Sequence, residues 1–314
     1  MKKKTLNGIL SSGFGSLWWG VIGVLYFKTV SHVTPLELTV HRTVWTAFLL
    51  IFSISFVSDC IRARLYLAII FFLSFNNTSD IDFFAFAFSP DWKSLIDWLI
   101  LSGTLIVTNW YTWIYAVTTN KLLDAAFGYY IFPILSVFFG ILFLKESHSK
   151  MKLVAISLVI IAVLYLLIDI NSTPWIGLIV ALTWSFYTLI RKKINVPTDL
   201  GLFIESAFAT PFAIVAFYFI AETGNNYFSL SNVGMSFWLF LAGANTLIPL
   251  WFYLYGSSLA GLGPAAMIFF LAPTGQFLLG FYYFGEALDF NKLISFIIIW
   301  IAVAIYLRDL AKDN

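Results

Sequence analysis

The sequence predicts an all-α polytopic membrane protein, with ten transmembrane helices arranged as two inverted five-helix repeats. Composition, an internal repeat and the placement of positive charge predict it together. The chain of 314 residues is 61% hydrophobic and only 11% charged, whereas soluble domains carry about 25% charged residues. Its 34 Phe and 12 Trp are more large apolar side chains than a soluble core of this size hides. A net charge of +2 supplies no basic face, which excludes nucleic-acid binding.

The repeat lies in Asp124–Glu146, DAAFGYYIFPILSVFFGILFLKE, which aligns without a gap on Pro264–Glu286, PAAMIFFLAPTGQFLLGFYYFGE, at an offset of 140 residues. Ala125 and Ala126 fall on Ala265 and Ala266, Pro133 on Pro273, Gly140 on Gly280 and Glu146 on Glu286. A period this long means duplicated domains rather than a solenoid. The halves are expected at 1–168 and 174–308.

Lys and Arg set the orientation. With the N-terminus inside, fourteen of them reach the cytoplasmic side: Lys2–Lys4, Arg62, Arg64, Lys93, Lys145, Lys150, Lys152, Arg191–Lys193, Arg308 and Lys312. Only Lys28, Lys121 and Lys292 lie outside, and Arg42 falls within a helix. Both termini and Cys60 are therefore expected in the cytoplasm of a protein integral to the cell (inner) membrane. Five helices per half is odd, so the second half enters from the opposite side. Such inverted repeats characterise secondary transporters, whose site lies between the repeats near the midplane.

A span needs about 20 apolar residues. In order, the segments are Leu6–Phe27, Pro35–Val57, Leu95–Val117, Leu122–Leu144, Met151–Ile168, Pro174–Ile190, Leu200–Ala221, Gly234–Gly256, Leu262–Phe284 and Leu288–Leu307. The start, MKKKTLNGIL, resembles a signal peptide. Its apolar run continues to Phe27 with no small-residue cleavage site, so a first transmembrane helix is expected. The connections are short except Ser58–Trp92, read as a cytoplasmic insertion on the membrane surface; one or two further spans there are the alternative. One cysteine permits no intramolecular disulfide.

Ionisable residues inside spans are candidates for function. In PLELTVHRTVW, Glu37 and His41 share a face with Trp45. His41 and Arg42 lie about 9–10 Å beyond Pro35 at 1.5 Å per residue. His41 titrates near neutral pH, and Arg42 is able to clamp a carboxylate or phosphate. The structural alternative is that Glu37 and Arg42 snorkel to the interface while His41 bonds a neighbouring helix. Glu205 of the seventh segment lies at similar depth from the other side, with Pro211 beyond it; its alternative is pairing with a base near Arg191–Lys193. On the functional reading, neutral residues at Arg42 or Glu205 abolish transport at unchanged abundance. Asn109 is either a substrate contact or helix glue. Trp110 and Tyr253 suit an apolar pocket wall, although such aromatics also form interfacial belts. Gln276 reaches a substrate or satisfies backbone freed by Pro273. Glu146 and Glu286 end matched helices and are given a structural role, and Asp124 that of a helix cap. The second and seventh segments are expected to face each other across a central cavity.

No HExxH, Walker A, GxSxG or paired Cys/His cluster occurs, so no enzyme, cofactor or metal site is expected.

Seven stretches in order carry a family resemblance. They are WWG at Trp18–Gly20, ELTVHRTVW at Glu37–Trp45, NWYTWIYAV at Asn109–Val117 and GYYIFPILSVFFGILFLKE at Gly128–Glu146. The second half adds LIRKK at Leu189–Lys193, ESAFATP at Glu205–Pro211 and APTGQFLLGFYYFGE at Ala272–Glu286. The chain resembles an EamA-type transporter of the drug/metabolite transporter superfamily, in its RarD-like branch. The insertion Ser58–Trp92 is longer than that branch usually has. The resemblance implies ten helices, two inverted repeats, cytoplasmic termini and movement of a small organic solute across the bilayer. Alternating access is the expected mechanism, with export the usual direction in the family and a proton one candidate for coupling. A lipid-modifying membrane enzyme and a non-transporting scaffold or sensor are the rival classes.

Overall fold

Segments predicted to span begin and end where proline, glycine and asparagine permit. The computed structural model describes residues 2–55, 90–119, 122–146, 149–167, 175–194, 196–224, 226–283, 285 and 290–312, and every regular element among them is a helix. In chain order they are α1 (Lys3–Trp18), a π-helical turn (Trp19–Gly23), α2 (Val24–Thr29), α3 (Pro35–Ser55), α4 (Pro90–Thr118), α5 (Leu122–Leu144) and α6 (Lys150–Leu167). The second half holds α7 (Trp175–Ile194), α8 (Thr198–Glu222), α9 (Val233–Ala260), α10 (Leu262–Ile268), α11 (Leu271–Tyr282) and α12 (Phe290–Lys312).

Proline opens α3 and α4, at the first helical position where its missing N–H costs nothing. α4 thus begins at Pro90, inside the stretch expected to be an insertion; residues 58–89, with Cys60, lie outside the described residues, as does Glu286. The Asn232 side chain caps α9 by accepting from Met235 N–H at 3.1 Å. Gly261, at φ +103°, separates α9 from α10, a conformation that other residues rarely adopt. Lys145 (φ +53°) and its repeat counterpart Gly285 (φ +68°) both adopt the left-handed turn after a helix. Asp124 lies inside α5, past its start at Leu122, rather than at the cap position.

Among the described residues, five stretches are long and apolar enough to cross a membrane: Lys3–Thr29, Thr198–Glu222, Val233–Ala260, Leu262–Leu279 and Leu293–Lys312. Leu10, Phe212, Val215 and Phe219 are among the many large apolar side chains exposed on the bundle's outside. A soluble protein would not present so continuous an apolar surface.

Packing pairs elements from opposite halves. α1 lies along α9, where Gly8, Ser12 and Gly15 meet Gly256, Tyr253 and Pro249. A Cβ added at Gly15 would stand 2.4 Å from the Pro249 carbonyl oxygen, so only glycine permits this approach. α4 lies along α7, α5 along α7, and the π turn along α11. α3 packs on α8, and α6 on α12.

The two long helices with irregular middles meet each other. A Cβ at Gly20 in the π turn would stand 2.5 Å from the Ala272 carbonyl oxygen. The break between α10 and α11 comes four residues before Pro273, which cannot donate to the Phe269 carbonyl. Ala272 N–H takes that carbonyl instead, at 2.9 Å. Gln276 is therefore not needed to satisfy it. Pro133 and Pro211, by contrast, sit within unbroken helices.

Candidate functional site: an aromatic cavity around Arg42

The two irregular segments open a small cavity between the halves. The π turn and α2 contribute Trp19, Gly23 and Phe27; α3 contributes Arg42; α4 contributes Asn109, Trp110 and Trp113. Tyr129 comes from α5, Trp184 from α7, and Phe269, Ala272 and Gln276 from around the α10–α11 break. Trp19, Trp184 and Phe269 pack ring against ring at 5.4–6.1 Å, with Tyr253 beneath them. An apolar, aromatic wall with a few polar groups is typical of small-molecule pockets.

Arg42 is 6% exposed. Its Nε donates to Thr246 Oγ1 at 2.9 Å, and that hydroxyl donates to the Ala242 carbonyl at 2.7 Å. The guanidinium lies 4.9 Å from the Trp110 ring centroid and 5.4 Å from that of Phe27. Among the described residues no acid pairs with it.

Of the eight residues singled out from sequence, Arg42, Asn109, Trp110 and Gln276 line this cavity. Asn109 is also glue: its Nδ2 donates to the Val180 carbonyl and to Thr183 Oγ1, both at 3.0 Å, tying α4 to α7. Tyr253 is fully buried in the aromatic cluster without lining the cavity.

Glu37 and His41 face elsewhere. The Glu37 carboxylate accepts from Tyr227 N–H at 2.7 Å and Phe228 N–H at 3.3 Å, in the α8–α9 connection. His41 Nε2 stands 3.9 Å from Glu37, and its Nδ1 accepts from Trp45 Nε1–H at 3.0 Å. Their shared helix face is turned to this connection, about 100° away from Arg42, because successive helical residues point that far apart.

Glu205 is buried at 3% exposure. Ser102 donates to it at 2.5 Å and Tyr187 at 3.1 Å, and Arg191 Nε lies 3.5 Å away. The base near Arg191–Lys193 is thus its partner. α3 and α8 do not face each other across the cavity. They touch directly, and no α8 residue lines it.

At the end of the bundle that holds the N-terminus, Glu146 folds back after Lys145. Its carboxylate accepts from Leu262 N–H at 2.6 Å and Gly263 N–H at 3.0 Å, capping α10. Lys192 donates to the carbonyls of Ser257 and Ser258 at 3.0 and 2.9 Å, capping the end of α9. The matched end-of-helix position of Glu146 was the sequence signal for this role. Trp19, Trp113, Trp184 and Phe269 carried no comparable signal, since aromatic residues fill nearly every span.

A buried cation at an aromatic cavity, within an apolar helical bundle, fits a membrane transport protein. The chain belongs to the EamA-like transporter family, in its RarD-like branch. A profile of that family matches residues 172–308. The protein RarD of Escherichia coli (strain K12) is 30% identical over 307 residues, covering 98% of this chain and 96% of that one. An uncharacterized transporter of Vibrio cholerae is 30% identical over 312 residues, covering 96% of this chain and 92% of its own length. A solved crystal structure aligns with a TM-score of 0.63 at 13% identity, covering 96% of this chain and 98% of that one. At that identity it speaks for the fold alone.

Proposed function

We propose that this protein is a secondary-active carrier, with no enzymatic role, that moves a small organic solute across the cell membrane by alternating access. The observation that carries the reading is the aromatic cavity, which both halves build and which encloses the lone guanidinium of Arg42. A carrier needs such a shared site, because rocking one repeat against the other must expose it to each side in turn.

In this reading ten helices span the bilayer as two inverted five-helix repeats, 1–168 and 174–308, with both termini cytoplasmic. The packing supports it. α1 on α9 has its counterpart in α7 on α4, and α5 on α7 has its counterpart in α11 on the π turn. α3 on α8 and α6 on α12 are their own counterparts. A packing list that survives exchange of the halves is what a pseudo-two-fold axis produces. The matched left-handed turns at Lys145 and Gly285 also support it.

With this orientation the cavity lies toward the outer face. The inner face is held shut by Glu146 on α10, Lys192 on α9 and the Arg191–Glu205 cluster. Opening inward requires these links to part while the outer helices close on the solute. Glu37 and His41, on the outer connection, are the groups for a coupling proton.

The test is flux. Metabolites inside and outside cells are compared with and without the protein, and solutes that differ are then followed in proteoliposomes. Uptake driven by an imposed gradient is expected. No flux of any differing solute, with protein correctly inserted, would leave a scaffold or sensor as the reading.

A further inference from the structure

The geometry points to an organic anion with an aromatic or otherwise apolar body as the occupant of this cavity, its anionic head on Arg42 and its body among the tryptophan rings. The inference rests on the carrier reading only in taking this occupant for the transported solute, since occupancy is tested apart from flux.

Arg42 is the starting point. Its Nε is used by Thr246, but Nη1 and Nη2 make no hydrogen bond to the protein among the described residues. Neither nitrogen is among the sealed, partnerless atoms, as Nη1 of Arg191 is. They therefore open on the cavity that Arg42 lines. The ring faces of Trp110 and Phe27 offset part of the cost of burying the charge, not all of it. The two free nitrogens form the edge of the guanidinium fork that matches a carboxylate by two parallel bonds.

No Asp or Glu lines the cavity among the described residues. Glu37 is held by the Tyr227 and Phe228 amides and Glu205 by Ser102, Tyr187 and Arg191. A cationic solute would meet like charge, and the ammonium of a zwitterion would find no carboxylate. The indole N–H groups of Trp113 and Trp184 are sealed from the cavity, so these two residues offer it their ring surfaces and the guanidinium offers the charge. With a guanidinium and no carboxylate among the described lining residues, and with only neutral acceptors on Asn109, Gln276 and Tyr129, the site selects an anion over a cation. Its walls of Trp19, Trp110, Trp184 and Phe269 select an apolar body over a bare inorganic ion.

The probes are three molecules of one shape: 3-phenylpropionate, its neutral amide and the cationic 3-phenylpropylamine. Each is titrated onto the purified full chain in detergent, with tryptophan fluorescence as the readout. The carboxylate is expected to bind at least about tenfold more tightly than the other two, a ratio worth one charge-assisted contact. Arg42→Gln is expected to erase that preference, and Arg42→Lys to keep part of it. Equal binding of the three probes, or none by the carboxylate, overturns the inference. If Arg42→Gln fails to fold, the ranking on the unmodified chain still decides. Carboxylate binding without flux in proteoliposomes would keep this inference and sink the carrier reading. Flux of neutral solutes untouched by Arg42→Gln would do the reverse.

Discussion

Arg42 and Arg191 are both buried, each 6% exposed, yet they are held in opposite ways. Arg191 lies 3.5 Å from the Glu205 carboxylate, and its Nη2 donates to the Thr198 carbonyl at 3.1 Å. Arg42 has one hydroxyl, two ring faces and, among the described residues, no acid. A buried charge is normally matched within the protein, because desolvation costs several kcal/mol per ion. Arg191 follows that rule and belongs to the architecture. Arg42 departs from it at the edge of a cavity, where a solute is able to supply the missing charge. The difference teaches that depth in the bundle does not separate structural from functional charges. The partner does.

The largest expected effect would break the comparison on the Arg191 side. Glu205→Gln leaves Arg191 without its carboxylate, and loss of one partner of a buried pair costs roughly 3–5 kcal/mol. Thermal unfolding in detergent should fall sharply, and a paired Arg191→Gln change should restore much of the loss. An unchanged midpoint for Glu205→Gln would mean that the pair carries no structural weight. Arg42→Gln should do the opposite. It removes an uncompensated charge, so stability should hold or rise slightly, while flux or binding falls by about tenfold or more. Full flux at normal abundance would withdraw Arg42 from the site.

Thr246→Val sharpens the comparison by removing the hydroxyl that orients Arg42. About 1 kcal/mol of hydrogen-bond energy is at stake, enough to weaken anion binding about fivefold with little change in unfolding. Binding equal to that of the unmodified chain would show that the rings alone position the guanidinium. The smallest effect concerns His41, which faces away from the cavity. His41→Ala should leave solute affinity nearly intact and flatten the pH dependence of flux that a coupling histidine gives. A retained pH profile would exclude His41 as the coupling group.

Much of the frame was legible in the chain. Apolar runs, opened by Pro35 and ended near Gly261, mark where helices lie, since a backbone in hydrocarbon must satisfy itself. The 140-residue offset marked Glu146 as structural, and the structure makes it the cap of α10. Gly285 and Lys145 share a turn for the same reason. The site was only half legible. Arg42, Asn109, Trp110 and Gln276 line the cavity, whereas Glu37, His41 and Glu205 have partners within the protein and Tyr253 is packed beneath the aromatic wall. A residue's type and depth are local properties of the sequence. Its partner is not: Glu37 is held by amides 190 residues away, Arg42 by a hydroxyl 204 residues away and Glu205 by a serine 103 residues away. The sequence by itself therefore determined which residues are costly to bury and which helices carry them. Only the packing of α3 against α8 and α9, and of α4 against α7, decided which of those costs the protein meets internally and which it leaves at the edge of a cavity.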